Sequence, residues 1–241
     1  MSSVRWILAV PIIWLLVSPS SARQLSDLRS DVRVLISDTG GVTTRYRFTN
    51  QQIDDFLNEC QRDAVGQTLP LVRSSAFELV AGTTYYALGS SNFIAVKRVT
   101  WLNRVLTEKS PTALDATKEW ETVSGAPQNY FVTFASRTLI GIYPYPADST
   151  STGTVKVEFY AQADDLSSST DQPFNGVREF YPLHHLLAYC AGSRLAAIDG
   201  QNDLAGYYLQ VYSQTLSRLA DISTTRPSYH PSISPSRGSG P

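Results

Sequence analysis

The apolar residues change period twice along this chain. From Ser26 to Ile36, the residues Leu28, Val32, Leu35 and Ile36 recur at i, i+4, i+7 and i+8, which predicts a helix, and Gly40-Gly41 stops it. Thr49, with Gln52 three residues on, reads as a capping box opening a second helix. Ile53, Phe56, Leu57, Cys60 and Ala64 then make one stripe, while Asp54, Asp55, Glu59 and Arg62 lie mostly off it and read as a solvated face. The period then shortens. Phe77 to Val80 and Tyr85 to Leu88 flank Ala81-Gly82-Thr83-Thr84, which predicts a hairpin. Phe93 to Leu102, Tyr130 to Phe134, Leu139 to Tyr143 and Val155 to Tyr160 read as further strands. In the last, Val155, Val157 and Phe159 alternate with Lys156, Glu158 and Tyr160, the mark of a sheet with one buried face. Ser110 to Lys118 reads as a short helix, because Pro111 suits a first turn.

Helical spacing returns near Val177. Pro182 belongs in a first turn, since deeper in a helix it would remove a backbone hydrogen bond. Leu183, Leu186, Leu187, Cys190 and Ala191 form the stripe to be buried, and Asp199-Gly200 ends it. Asn202 caps a last helix in which Leu204, Tyr207, Tyr208, Val211, Thr215 and Leu219 keep period. The short connection makes these two helices an antiparallel pair. The expectation is an α+β fold, with N-terminal helices (25–66) and C-terminal helices (174–222) forming a helical bundle, and with a central antiparallel β-rich block (74–161).

Both ends depart from this pattern. Residues 1–24 place Arg5 before an apolar run from Trp6 to Val17, followed by Ser20-Ser21-Ala22. That is the layout of a secretory signal cleaved after Ala22, and the run falls short of the ~20 apolar residues of a membrane span. The other reading is an extension upstream of the true start. Residues 223–241 are rich in Ser, Pro and Gly, contain Arg226 and Arg237 and lack acidic residues, which is the composition of a flexible tail.

Composition narrows the function. A hydrophobic fraction of 42% supports a real core. With 20 basic against 21 acidic residues, there is no cationic surplus for nucleic-acid binding. Thirteen Tyr and four Trp suit either a core or a permanent protein interface. Cys60 and Cys190 each fall in an apolar stripe and read as buried free thiols, small hydrophobes rather than a disulfide.

Motifs for chemistry are missing. The chain has no G-x-S-x-G, P-loop, H-E-x-x-H or G-x-G-x-x-G. His184 and His185 are neighbours on a helix and point about 100° apart, so they do not converge on one metal. Asp164-Asp165 and Asp171 precede or follow small polar residues and read as turns or caps. No catalytic, cofactor or metal site is expected.

Trp120, then Gly125-Ala126-Pro127 and Tyr130, followed by Ile142-Tyr143-Pro144-Tyr145-Pro146, resemble the motifs of head-to-tail adaptor (connector) proteins of tailed bacteriophages. So do Phe159-Tyr160 with Leu166 and Pro173, the helix bearing Tyr181, Leu186 and Tyr189, and the opening Leu28-Arg29-Ser30-Asp31-Val32-Arg33. The likeness covers residues 25–220. It implies a structural virion protein without catalysis or cofactor, assembled in the host cytoplasm. Such proteins form a ring, usually dodecameric, that docks beneath the portal protein, extends the DNA channel without sequence-specific binding and carries tail or nozzle proteins. The resemblance also makes the tail, with Arg226, Tyr229 and Arg237, a candidate portal-docking arm. The competing expectation is an exported periplasmic or surface binding module, which takes residues 1–24 as a true signal; a hydrolase with a scattered triad is a third.

Overall fold

A computed structural model describes residues 22–225, apart from 41–45, 68–70, 90–91, 118, 136 and 149–151. The signal-like residues 1–21, Gly41, and Arg226, Tyr229 and Arg237 of the tail lie outside the described residues.

Helix α4 (His184–Ile198) is apolar nearly all round, and such a helix must be surrounded. Around it pack α1 (Leu25–Leu35), α2 (Asn50–Gln67) and α5 (Asn202–Thr225). Leu183, Leu186, Leu187, Cys190 and Ala191 are all buried. The helix begins later than its periodicity predicts, because Arg178–Leu183, which contains Pro182, forms a 3₁₀ turn first. The capping box of α2 is present: the Gln52 side chain accepts the Thr49 N–H, and the Thr49 hydroxyl accepts the Gln52 N–H. On α5 the buried positions are Ala205, Tyr208, Tyr212 and Leu216, while Tyr207 stands exposed.

Two expectations for α2 fail. Asp54 is not on a solvated face: its carboxylate is buried and accepts Nε–H and an Nη–H of Arg29, both at 2.6 Å. Cys60 and Cys190 are not free thiols but a disulfide. The apolar stripes of α2 and α4 face one another and hold the two Cα atoms 6.0 Å apart, inside the span a disulfide bridges.

The middle of the chain forms two four-stranded sheets. In the first, β1 (Leu71–Leu79), β8 (Gly153–Ala161), β3 (Phe93–Trp101) and β4 (Arg104–Val105) are ordered β1-β8-β3-β4, all antiparallel. In the second, β2 (Tyr85–Ala87), β7 (Thr138–Tyr143), β6 (Asn129–Phe134) and β5 (Thr107–Glu108) are ordered β2-β7-β6-β5, with only β5 and β6 parallel. Val155, Val157 and Phe159 of β8 are buried as their alternation predicts, and share a core with Val99, Trp101, Ile140 and Ile142. The predicted hairpin does not form. β1 and β2 belong to different sheets, and the Ala81–Thr84 turn carries the chain across. The Tyr86 hydroxyl accepts the Val80 N–H there, satisfying a donor that no ladder reaches.

Helix α3 (Pro111–Asp115) is capped by Ser110, whose hydroxyl accepts the Ala113 N–H. It covers the outer side of the second sheet, where Leu114, Trp120 and Phe131 make a small core of their own. Phe131 lies across Gly141: a Cβ there would stand 2.1 Å from the ring, so only glycine leaves room.

The disulfide yields a direct test. Replacing both Cys60 and Cys190 by Ala should cost about 2–5 kcal/mol in denaturant unfolding. A maleimide should label the unfolded, unreduced protein at neither position; labelling under those conditions would overturn the pairing.

Candidate functional site

The residues that carry the family resemblance do not form a single cluster. Most gather at one end of the second sheet. Trp120 packs edge-to-face on Phe131 with ring centres 5.3 Å apart, meets Tyr143 at 6.1 Å, and donates its indole N–H to Asp115. The Tyr-Pro-Tyr-Pro run explains itself through its carbonyls: those of Tyr143, Tyr145 and Pro146 accept the backbone N–H groups of Gln128, Gly125 and Gly82. Tyr143-Pro144 is a cis peptide. Pro127 is buried and Tyr130 follows it into β6. The Tyr130 hydroxyl donates to Glu108, and burial together with that carboxylate pushes its pKa up to about 12. Tyr160 is half-buried on β8; Tyr181 and Tyr189 lie apart, against His184 and Tyr208 respectively. These side chains hold loops and helices in place.

Sequence reasoning missed the junction between helices and sheets. Asn58 and Gln61 project from the buried face of α2, and polar groups so placed need partners. Asn58 brackets Leu166, accepting its N–H at 2.7 Å and donating to its carbonyl at 3.0 Å. Gln61 donates to the Asp164 carbonyl at 2.8 Å and accepts the Phe174 N–H at 2.7 Å. Asp164 is the hub. Its carboxylate accepts from Arg73 on β1, from Asn92 just before β3 and from Asn175, while its N–H donates to the Asn175 side chain. Asp165 pairs with Arg62. Phe174, Asn175 and Gly176 all have left-handed backbone, with φ of 53°, 58° and 67°. For Phe174 that conformation costs on the order of 1–3 kcal/mol. Its N–H bond to Gln61 and its buried ring against Phe180 hold it there. Asp171 is a cap, as its neighbours predict: the N–H groups of Ser167 and Ser168 donate to its carboxylate and lower its pKa.

His184 is fully buried at the start of α4. Its Nδ1 accepts the Arg23 N–H at 3.2 Å, so the ring proton sits on Nε2, which has no hydrogen-bond partner. The rings of Phe174 and Tyr181 enclose it. Burial holds its pKa down at about 4. His185 points outward next to Tyr189, so the pair does not converge, as helical geometry requires.

Helix α5 carries an uncharged stretch of surface. From Leu204 to Ser217 the helix has no Asp, Glu, Lys, Arg or His, yet Tyr207 and Leu209 are 59% and 51% exposed. The hydroxyls of Ser213 and Ser217 are turned back onto the carbonyls of Leu209 and Ser213. Among the described residues, no group of three or more His, Cys, Asp or Glu is placed to hold a metal, and no helix is long and apolar enough to cross a membrane.

The His184 environment has a pH signature. The unfolded chain binds a proton at this ring below about pH 6.5, whereas the folded chain refuses it until about pH 4. Stability should therefore fall as pH drops from about 6.5 to about 4, by up to roughly 3 kcal/mol from this group, and level off below. In thermal unfolding across that window, His184→Gln should start less stable and show a flatter slope. Parallel slopes for the two proteins would remove His184 as the cause.

No curated protein matches the chain. Residues 23–235 match the SU10 adaptor protein family. That span takes in both helical groups, both sheets and the junction between them, so the chain belongs to the SU10 adaptor protein family, and with it to a phage adaptor role.

Proposed function

We propose that this chain is the subunit of a head-to-tail adaptor ring, which docks beneath the phage portal, continues the DNA channel and offers a platform for tail or nozzle proteins. The family match over residues 23–235 is the observation that carries this reading. A closed ring needs two different, complementary patches on each subunit. The exposed face of α5 between Leu204 and Ser217, which bears no charge and carries Tyr207, supports its use as one of them, since interface cores are depleted in charge and enriched in tyrosine. A formal net charge of −1 suits a channel wall that lets DNA pass without holding it. The portal-docking arm is the basic tail bearing Arg226, Tyr229 and Arg237, whose lack of acids complements an acidic partner surface.

The Cys60–Cys190 disulfide also fits a second reading, an exported binding module, because disulfides persist in oxidising compartments. A released virion meets the same conditions, so the bond is compatible with both.

Light scattering and electron microscopy of a chain beginning at Gln24, with and without the cognate portal, separate the two. Rings, alone or on the portal, are expected; a monomer that ignores the portal would move the weight to the exported module. For the arm, a chain ending at Ile222 should bind the portal at least tenfold more weakly than the full chain. Equal affinity would remove the tail from the docking surface.

A further inference from the structure

In chain order, the helices α1 and α2 precede β1, and α4 and α5 follow β8. The strand ends nearest those helices lie side by side, because Leu71 and Ala161 are register partners. Leu71, Ala163 and Leu166 belong to the helical core, whereas Phe159 and Ala161 belong to the separate core of the sheets. The sheets are thus joined to the helices through a waist two strands wide.

The polar groups at this waist divide into two kinds. On the helical side, buried Asn58 and Gln61 clamp the backbone of residues 164–166 to α2. On the sheet side the fastening is exposed: the Asp164 carboxylate, its side chain 59% accessible, takes bonds from Arg73 and Asn92. One half is therefore dry and fixed, while the other is wet and open to screening. Behind it stands the left-handed turn at Phe174–Gly176, held by Asn175 to the same carboxylate and by Gln61.

We propose that the waist is a pivot and that the Asp164 carboxylate, through Arg73 and Asn92, is the latch that sets the angle between sheets and helices. Opening these two contacts frees the sheets to rotate about the Leu71–Ala161 pair, while the Asn58 and Gln61 clamps keep residues 164–166 on α2. For an adaptor that meets one partner at each end, such a joint lets the two parts seat separately. That use rests on the adaptor reading; the joint itself does not.

The test uses the full chain and does not involve a ring. Hydrogen exchange would be followed with small-angle scattering for the native chain, for Asp164→Asn, and for the Arg73→Gln/Asn92→Ala double variant. The native chain in 1 M salt serves as an arm that carries no folding risk. Expected are at least tenfold faster exchange at 71–73 and 161–164 in the double variant, a smaller rise in Asp164→Asn and in high salt, unchanged exchange in α4 and β7, and a broader distribution of interatomic distances. Unchanged exchange in all arms would overturn the latch. Equal acceleration throughout the chain would reduce it to an ordinary stabilising contact, and faster local exchange with unaltered scattering would overturn the pivot.

Discussion

Helix α4 imposes the constraint on which the rest of the structure depends. Ten of its fifteen residues are buried, with no polar stripe to turn toward water. Each buried Leu contributes about 1.5–3 kcal/mol only if something covers it. The cover comes from α1 and α2 at one end of the chain and α5 at the other, so the helical part cannot form until both ends have met. The Cys60–Cys190 disulfide ties the same pair of faces covalently. The two sheets are in effect an insertion into this helical framework.

The framework uses buried polar groups where backbone would otherwise be left unpaired. Arg33, packed beneath Tyr46, donates to Asp38, to Asn50 and to the Phe48 carbonyl, and Asp38 in turn accepts the N–H groups of Arg47 and Phe48. That small network shapes both ends of the α1–α2 connection. Asn58 and Gln61 do the same for the segment that returns from the sheets. In both places a side chain on a helix stands in for a missing backbone ladder, which is why breaking one partner exposes a buried donor or acceptor.

The residues that carry the resemblance support loops: Trp120 seats α3 on the second sheet, and the Tyr143–Pro146 run accepts N–H groups from Gly82 in one turn and from Gly125 and Gln128 in the segment before β6. At the surface, Tyr207 and Leu209 of α5 stand exposed, and the Asp164 carboxylate bonds across the junction in the open.

Periodicity alone determined a good deal. The stripe on α2, the alternation in β8, the Thr49–Gln52 box and the glycine stop after Asp199 each concern residues within a few positions of one another, where 3.6- or two-residue repeats decide which face is apolar. The α+β order of helices, sheets and helices follows from them. Which faces meet is a different matter, because a stripe does not name its partner. The pairing of Cys60 with Cys190, of Asp54 with Arg29, and of β1 with β8 rather than β2 joins residues far apart in the chain. The Asp164 hub gathers contacts from four separate segments and has no local pattern at all. Local repeats set the elements and their inner sides; only the closing of the chain around α4, and the need to satisfy every buried polar group once it had closed, decided the rest.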